Sequence, residues 1–530
     1  MKVLKYILPY LLALLAGLLI SLGWITPCPT LVMLVAIVPL LFAEDIITKD
    51  ERKVKLLRTA LVGFIYMYLL DVMLISPISL LFGGWAYLFF CINSLLFAIV
   101  FLLYALFKRK LGKAWGLVAF VALYITFEYL LLNLDFSFPV VLLGNALMGI
   151  ESFGLPFIQW YEYTGVLGGS LWVLAVNVLI YVLISNRVAK KKLNVAVLSS
   201  AIVIIVLPIA LSVLIYNTYK ECMSPVNFVL VQPNIDPYEE KFSIEQGEQL
   251  DRMLSLTRGA ADESTDFIVF PETALDSNFW YNNINENGKI CYLRDIIMSK
   301  YTQAHLITGA TMLQYFMTKE PPSRDAMQAG DNLYIQMYNA AFQIAKNEPV
   351  QIYKKDKLVL GTERNPFAKE WDSKMTGGQT SNLAKAEEQA IFKSAKANVG
   401  TFICYEAIFG KYCSHFADMG ADILCTITND GWWLDTDLPT KHLRFVQLRA
   451  IENRRSIARC GNTGITAGID QCGRIVAQSP WWEPDALKVT LNKNKTKTLY
   501  SMAGDYIGVM AAIASFFIFW IVVIRLILKK

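Results

Sequence analysis

The sequence predicts a protein in two parts, an α-helical membrane domain of about eight spans and a large α/β domain outside the cytoplasm. The chain has 530 residues, of which 55% are hydrophobic and 18% charged, and its mean hydropathy is +0.42. Soluble proteins carry about 25% charged residues. Long apolar runs crowd into residues 1–217 and recur once near the C-terminus, whereas residues 218–503 alternate short apolar strands with helical patterns.

Eight apolar runs approach the roughly 20 residues that a transmembrane helix needs. The second of them is the shortest. They define a predicted membrane domain at 1–217, a predicted soluble domain at 218–503 and a last predicted span within 504–530. The eight runs are residues 6–24, 29–44, 57–77, 85–107, 114–133, 165–185, 194–216 and 504–524.

Basic residues near the span ends fall on alternate connections. The other short connections, at about 25–28, 78–84 and 134–164, contain no Lys or Arg. Because cytoplasmic loops are enriched in Lys and Arg, both termini are predicted to be cytoplasmic and residues 218–503 to lie across the membrane. The basic residues are Lys2, Lys5, Lys49, Arg52, Lys53, Lys55, Arg58, Lys108, Arg109, Lys110, Lys113, Arg187, Lys190, Lys191, Lys192, Arg525, Lys529 and Lys530.

Charge and motif composition exclude several classes of function. Residues 218–503 carry 31 Lys and Arg against 34 Asp and Glu, and a nucleic-acid-binding domain should be basic instead. The nine cysteines form no CxxC pair, and the three histidines, His305, His415 and His442, form no HExxH motif. The sequence therefore predicts no nucleic-acid partner, no metal and no cofactor.

Two acidic residues, Asp71 and Glu128, lie inside apolar runs. An acid within the membrane is a candidate functional group, but each could also lie near the interface or bond to a neighbouring helix. We favour the second interpretation. No span pairs a Lys or Arg with either acid, which argues against a proton-coupled transporter.

The soluble domain is predicted to be a layered α/β or α+β structure. Helices are expected from a capping box at Ser243–Gln246, at Cys291–Tyr301, at Ile408–Met419 and at Pro439–Arg455. Residues 316–332 and 364–395 are expected to be loops. The predicted strands are Phe228–Gln232, Phe267–Phe270, Leu306–Gly309, Ala340–Ile344, Val350–Lys355, Val399–Cys404, Ile423–Thr428, Ser456–Arg459, Ile465–Ile469 and Leu487–Leu491.

Three of these strands end in reactive polar residues, a common location for active-site groups. Glu272 follows the strand that ends at Phe270, and Cys404 ends the strand that begins at Val399. In the segment after Val350, strand alternation places Lys355 and Lys357 on one face and Lys354 on the other. Alternation alone leaves Lys355 and Lys357 as equal candidates.

Glutamate, lysine and cysteine together suffice for acyl transfer. A cysteine nucleophile needs a base, which a buried glutamate can supply, and a lysine ammonium can stabilise the oxyanion of the transition state. With only three histidines in the chain, a histidine-dependent triad is less favoured.

These segments resemble the carbon–nitrogen hydrolase (nitrilase) superfamily, whose triad is Glu-Lys-Cys. Further similarities are Val231-Gln232-Pro233-Asn234, Asn429-Asp430-Gly431-Trp432-Trp433 and Arg449-Ala450-Ile451-Glu452-Asn453. A nitrilase-like domain between seven spans and one last span resembles the apolipoprotein N-acyltransferase family, as does the segment from Phe138-Pro139 through Leu142–Asn145 and Phe157–Trp160 to Val166. The resemblance covers nearly the whole chain.

The resemblance implies a fold and a set of site residues. The soluble domain would be a nitrilase-like α-β-β-α sandwich. Glu272 would be the base, Lys355 the oxyanion stabiliser and Cys404 the nucleophile, with support from the residues that match family positions, Glu363, Tyr405 and Glu406. The chain departs from the family at Lys357, where His is usual, and at Leu360–Glu363, where Pro-Phe-Gly-Glu is usual.

The implied activity is the last step of lipoprotein maturation at the bacterial inner membrane, with the catalytic domain in the periplasm. Cys404 would take an acyl chain from a phospholipid, such as phosphatidylethanolamine, and pass it as a thioester to the α-amino group of a diacylglyceryl-cysteine apolipoprotein. Aromatic residues expected to border the acyl chains, or else to pack in the core, are Phe279, Trp280, Trp432, Trp433, Trp481 and Trp482.

Two alternatives stay open at this point. A membrane-tethered amidase of the nitrilase type would use the same triad with water as the acceptor. A transporter or receptor would instead depend on Asp71 or Glu128.

Overall fold

The computed structural model describes residues 2–25, 29–50, 54–134, 138–149, 152–364 and 382–528, which fall into two compact units. One unit comprises residues 1–219 and 503–530, and the other comprises residues 220–502. Several residues named above, Arg52, Lys53, Lys529 and Lys530, lie outside the described ranges.

The first unit, which we call the membrane unit, is helical. Eight helical stretches are long and apolar enough to cross a bilayer, as predicted. The helices are α1 (Lys2–Ile25), α2 (Pro29–Met33), α3 (Val38–Thr48), α4 (Lys55–Ile75), α5 (Ser79–Phe82), α6 (Trp85–Leu111), α7 (Lys113–Asn133), α8 (Leu143–Ala146), α9 (Tyr161–Val188), α10 (Val195–Thr218) and, at the C-terminus, α16 (Tyr506–Ile527).

The second span is broken between α2 and α3, and one side chain compensates for the break. Asn177 of α9 donates to the carbonyl of Met33 (2.7 Å) and accepts from the N–H of Ile37 (2.8 Å). Backbone polar groups must be paired inside a bilayer. Asn177 thus provides hydrogen-bond partners for two backbone groups at the helix break.

Both intramembrane acids bond to neighbouring segments. Asn93 of α6 donates to the two carboxylate oxygens of Asp71 at 3.1 and 2.9 Å. Glu128 accepts from the N–H of Leu143 at the start of α8 (2.8 Å). These contacts agree with a structural role for the two acids.

The second unit contains two β-sheets within its described residues. The first has the order β13-β1-β2-β4-β6-β5, with β3 paired to β4 and β7 to β6, and the second has the order β12-β11-β10-β9-β8. The strands are β1 (Pro225–Gln232), β2 (Phe267–Val269), β3 (Leu275–Trp280), β4 (His305–Met317), β5 (Met327–Gly330), β6 (Leu333–Ile344), β7 (Gln351–Lys354), β8 (Val399–Ile403), β9 (Ile423–Thr428), β10 (Ile457–Gly461), β11 (Ala467–Ile469), β12 (Ile475–Gln478) and β13 (Asp485–Asn492).

Four helices and the two sheets form four layers. Helices α11 (Gln246–Ala260) and α12 (Gly288–Lys300) pack on one face of the first sheet. The other face packs on the second sheet, in a core that also takes in α13 (Gly410–Asp418) and α14 (Leu438–Asn453). A short helix, α15 (Leu499–Ala503), follows. This is the α-β-β-α sandwich implied by the resemblance.

Parallel pairing within a covered sheet explains why strands β8 and β9 are buried along their whole length. Strand β9 pairs in parallel with β8 and β10, and every residue of β8 and β9 is buried. A strand covered on both faces has no solvent side to alternate with. The carboxyl ends of β8 and β9 therefore lie next to each other, which brings Cys404 close to Asn429 and Asp430.

Some predicted boundaries were wrong. Ser243 does not cap α11, because a turn in which Glu240 accepts from Ser243 and Ile244 precedes the helix, which begins at Gln246. Residues 316–332 are not all loop, since β4 runs to Met317 and β5 covers 327–330. Of the predicted loop 364–395, residues 365–381 lie outside the described residues.

Candidate active site

Glu272 lies just beyond the end of β2, against a glycine of the neighbouring strand. The N–H of Gly309 donates to the carbonyl of Pro271 (3.1 Å). A Cβ at Gly309 would come within 2.7 Å of Glu272 Cα and 2.6 Å of Thr273 N. Only glycine leaves room for the Glu272 backbone at this point.

Lys355 follows β7 and lies between two carboxylates. Its Nζ donates to Oε1 of Glu272 (3.1 Å) and to Oε1 of Glu363 (2.9 Å). Asn339 of β6 donates to the same two oxygens at 2.8 and 2.9 Å. We call Glu272, Lys355, Glu363 and Asn339 the lysine cluster.

The second carboxylate oxygens in this cluster are held by backbone groups. Oε2 of Glu272 accepts from the N–H of Asn429 (3.1 Å), and Oε2 of Glu363 accepts from the N–H of Val359 (2.8 Å). Burial alone would lower the pKa of Lys355, but Glu272 and Glu363 outweigh it and hold that pKa well above its usual value. Lys355 is therefore an ammonium that cannot serve as a base near neutral pH.

Cys404 begins the turn that follows β8. Its φ is +50°, in the left-handed region, which non-glycine residues adopt mainly at turns and functional sites. Burial and the charge of Glu272 raise the pKa of the Cys404 thiol, against the opposite effect of Lys355. The thiol of Cys404 is therefore protonated at neutral pH.

Glu406 joins the segment that carries Cys404 to the segment that carries Lys355. One carboxylate oxygen accepts from the N–H of Ile403 (2.7 Å) and the hydroxyl of Tyr353 (2.6 Å). The other accepts from the N–H groups of Asp356 (2.8 Å) and Lys357 (3.2 Å). Burial raises the pKa of Glu406 to about 7, although these donors act in the opposite direction.

A second buried charged group lies behind Cys404. His442 of α14 contacts the carbonyl oxygen of Cys404 through Nε2 (2.9 Å) and Asp430 through Nδ1 (2.9 Å). Arg459 of β10 pairs with the other carboxylate oxygen of Asp430, and Thr428 donates to Asp430 (2.8 Å). We call Asp430, His442 and Arg459 the histidine cluster.

The structure distinguishes Lys355 from Lys357, which strand alternation left as equal candidates. Lys355 joins the lysine cluster, whereas Lys357 pairs with Asp356 (3.2 Å) and Lys354 donates to Gln314 (2.7 Å). Tyr405 is buried and packs edge-on against Phe409 at 5.3 Å between ring centroids.

Of the aromatic residues expected beside acyl chains, Phe279 belongs to the core, since it is fully buried against Phe342. Trp481 packs partly on the core between the sheets. Trp280, Trp432, Trp433 and Trp482 are partly exposed.

Sequence reasoning missed Asn339, Arg459 and the part that His442 plays. Each is a polar residue with a buried side chain, at 4%, 0% and 2% exposure respectively. A polar residue in an apolar strand, such as Asn339, was the available signal. Among the described residues, no group of three or more His, Cys, Asp and Glu is arranged to hold a metal ion.

Two family models match separate parts of the chain. The carbon–nitrogen hydrolase model matches residues 230–500, and that of the apolipoprotein N-acyltransferase N-terminal domain matches residues 16–179. Among solved structures, a yeast (Saccharomyces cerevisiae) member of branch 10 of the nitrilase superfamily is 15% identical, with TM-score 0.37 over 54% of this chain and 95% of its own. A carbon–nitrogen hydrolase from Helicobacter pylori is 11% identical, with TM-score 0.35 over 51% and 89%.

Whole-length relatives come from bacteria. The chain is 25% identical to an apolipoprotein N-acyltransferase of Geobacter metallireducens, over 94% of this chain and 92% of the relative. It is 30% identical to one of Chlorobaculum tepidum over 96% of both chains. The chain therefore belongs to the apolipoprotein N-acyltransferase family, as a multi-pass bacterial membrane acyltransferase with a carbon–nitrogen hydrolase domain.

Proposed function

We propose that the chain transfers an acyl group from a phospholipid to the α-amino group of a diacylglyceryl-cysteine apolipoprotein, through a thioester on Cys404. This reaction would complete lipoprotein maturation. The observation that carries the proposal is the lysine cluster, in which one ammonium contacts two carboxylates at 3.1 and 2.9 Å. Cys404 lies within electrostatic range of both Glu272 and Lys355.

In the first half-reaction, Glu272 removes the thiol proton as Sγ of Cys404 attacks the ester carbonyl of the phospholipid. Lys355 stabilises the negative charge that forms on the carbonyl oxygen. The S–C bond forms, the ester C–O bond breaks, and Glu272 returns the proton to the departing alkoxide. The products are the thioester and a lysophospholipid.

In the second half-reaction, the α-amino group of the lipoprotein cysteine attacks the thioester. The N–C bond forms and the C–S bond breaks. Glu272 takes the proton from the amine and gives it to the departing sulfur, which restores the thiol. Because one glutamate acts as base and then as acid in each half, its carboxylate has to stay next to the sulfur throughout.

The supporting residues hold these three groups in place. Glu363 and Asn339 fix the Lys355 ammonium and the Glu272 carboxylate relative to each other, at the distances given above. Glu406 fixes the backbone before Cys404 and after Lys355. Tyr405 follows the nucleophile directly and is buried beside Phe409.

We further propose that both termini are cytoplasmic and that residues 218–503 are periplasmic. Within the membrane unit, Arg525 near the end of α16 donates to the carbonyl of Lys110 at the basic end of α6 (3.2 Å). Arg58 near the start of α4 donates to the carbonyl of Tyr6 near the start of α1 (2.8 Å). These bonds support a helix bundle with a single basic side. The basic side of a multi-span membrane protein usually faces the cytoplasm.

A mass measurement tests the proposed carrier. The full chain is purified with phospholipid, and its intact mass is measured for the wild type, for Cys404→Ala and for Cys425→Ala, a buried control cysteine in β9. We expect a hydroxylamine-labile acyl adduct on the wild type and on Cys425→Ala only. An adduct that persists on Cys404→Ala would mean that another residue carries the acyl group.

Adding an acceptor separates the transferase from the amidase alternative. The acylated protein is mixed with a diacylglyceryl-cysteine peptide or with buffer alone. The proposal requires the acyl group to move to the peptide amine much faster than the adduct decays in buffer. Equal loss of the adduct with and without peptide would instead mean that water is the acceptor.

A further inference from the structure

The first sheet continues beyond the lysine cluster as an extension of three strands. Strands β4 and β6 pair without a register shift from Leu306 and Ile344 out to Met317 and Leu333. Strand β5 pairs with the outer part of β6, with Met327 opposite Ile335. Alternate residues of a strand share a face, and residues directly opposite in a pair share it as well.

The register assigns one face of this extension to the side that forms the core between the two sheets. Ile307 and Ala341 belong to that core, so the alternate residues farther along each strand lie on the same face. Nearest the core they are the opposed pair Thr311 and Asn339, the latter in the lysine cluster. Beyond that pair come only apolar residues, which we call the outer apolar face: Leu313, Tyr315 and Met317 on β4 and Met337, Ile335 and Leu333 on β6.

Neighbouring strands widen the outer apolar face. Trp280 of β3 lies opposite Leu313, with its ring 6.2 Å from that of Tyr315. Met327 of β5 lies opposite Ile335. The other face of the extension is mixed in chemistry, because it presents Gln314 opposite Gln336 and then Phe316 opposite Tyr334.

Exposure rises along the outer apolar face with distance from the lysine cluster. Asn339 is 4% exposed, whereas Tyr315 is 44% exposed and Met317 is 71% exposed. Met327 is 46% exposed. A contiguous exposed apolar surface on a folded domain marks a binding site, and methionine suits a flexible apolar ligand because its own side chain adapts.

The length of the face matches one kind of ligand. From Asn339 to Leu333 is six residues, or about 20 Å of strand. The hydrocarbon core of a bilayer is about 30 Å thick, so that one acyl chain spans roughly 15 Å of it. We infer that the outer apolar face binds the acyl chain of the donor along its length, with the carbonyl at the lysine cluster, and so selects long chains. This inference rests on the function proposed above.

Competition between donors tests the inference. The full-length protein in detergent is mixed with equal amounts of two acyl thioesters, and the ratio of the two adducts on Cys404 is read by intact mass. Butanoyl, octanoyl and hexadecanoyl donors are compared in pairs. Because both donors compete for the same molecules, loss of folded protein lowers both adducts and leaves their ratio unchanged.

Position along the face determines the expected result. Leu313→Gln changes a residue near the lysine cluster. It should lower both the octanoyl-to-butanoyl ratio and the hexadecanoyl-to-butanoyl ratio of adducts by about tenfold, since each apolar methylene contact changes an equilibrium by roughly fourfold. Met317→Gln, at the far end, should lower hexadecanoyl relative to octanoyl and leave the octanoyl to butanoyl ratio unchanged. Phe316→Gln, which alternation places on the opposite face, is the matched control and should change neither ratio.

Two results would overturn the inference. One is the same set of ratios in all four proteins, and the other is an effect of Phe316→Gln equal to that of Met317→Gln. Failure of the proposed function is distinguishable, because the wild type would then form no adduct on Cys404 with any donor.

Discussion

Two buried charged clusters flank Cys404, and they are built differently. In the lysine cluster, two carboxylates share one ammonium and one amide donor. In the histidine cluster, one carboxylate is surrounded by Arg459, His442 and Thr428. The first cluster has one more carboxylate than ammonium groups, whereas the single carboxylate of the second faces a guanidinium and an imidazole. Under the proposed function, the lysine cluster would take part in the reaction and the histidine cluster would hold the backbone at Cys404.

The largest effect is expected from Glu272→Gln. This change keeps the size of the side chain and an oxygen that can accept from the N–H of Asn429. It removes the base, which should slow thioester formation about a thousandfold. Glu363→Gln, the matched change at the other carboxylate, should cost clearly less because it leaves the base in place. The rate of adduct formation, followed by intact mass, measures both effects. Equal losses of rate in the two variants would contradict a difference in role between Glu272 and Glu363.

Asp430→Asn should mainly affect stability. It leaves the buried Arg459 without its counter-charge, which should lower the free energy of unfolding by about 3 kcal/mol. The guanidinium midpoint of the full chain in detergent measures this. Asp418→Asn is the control, since Asp418 pairs with Lys497 at the surface (2.6 Å) and should change stability by less than about 1 kcal/mol.

Acid should weaken the histidine cluster in a predictable direction. Burial acts against the charged form of Asp430, but Arg459 and His442 outweigh it and lower its pKa to about 2. The unfolded chain, with a pKa of about 3.9, binds the proton more tightly. The charged form therefore contributes about 3 kcal/mol above pH 4, which is lost as the pH falls through about 2.

Unfolding midpoints of the wild type and Asp430→Asn over this pH range check the prediction. The difference between the two proteins should shrink towards acid. A constant difference would mean that Asp430 does not titrate as its surroundings imply.

The smallest effect is expected from His442→Gln. Loss of the imidazole frees the Cys404 carbonyl, so that the left-handed backbone at the nucleophile is held less firmly, and thioester formation should slow about tenfold, in the range of a lost hydrogen bond to a charged group. The rate at which iodoacetamide alkylates Cys404 should change together with the rate of thioester formation. His415→Gln on the exposed side of α13 is the control, and should alter neither rate.

Local sequence patterns suffice to choose candidate residues, but they do not predict the surroundings of those residues. Glu272 and Cys404 could be chosen because each ends an apolar strand, and Lys355 because the family resemblance separated it from Lys357. Asn339 could not be found in this way, since its bond to Glu272 joins residues 67 positions apart. Periodicity identifies an element, but it does not tell which distant element lies beside it.

Strand ends were predicted least well where polar residues interrupt or follow the apolar residues of a strand. The segment 316–332, which was expected to be loop for its polar residues, Pro and Gly, takes in only the last two residues of β4, and no strand was predicted for the outer parts of β4 and β6 at 310–315 and 333–339. The register shows that the apolar residues there continue a face of the sheet. Strand β3 was missed because its alternation is obscured by polar residues at 276–278.

The four hydrogen bonds to Glu406 have a consequence for how the enzyme tolerates change. They tie the backbone at Ile403 directly to that at Asp356 and Lys357, although more than forty residues separate these positions along the chain. One carboxylate thus joins the segment before Cys404 to the segment after Lys355. Loss of that carboxylate would loosen both segments at once, so that a change at Glu406 should be felt at Lys355 and Cys404 together.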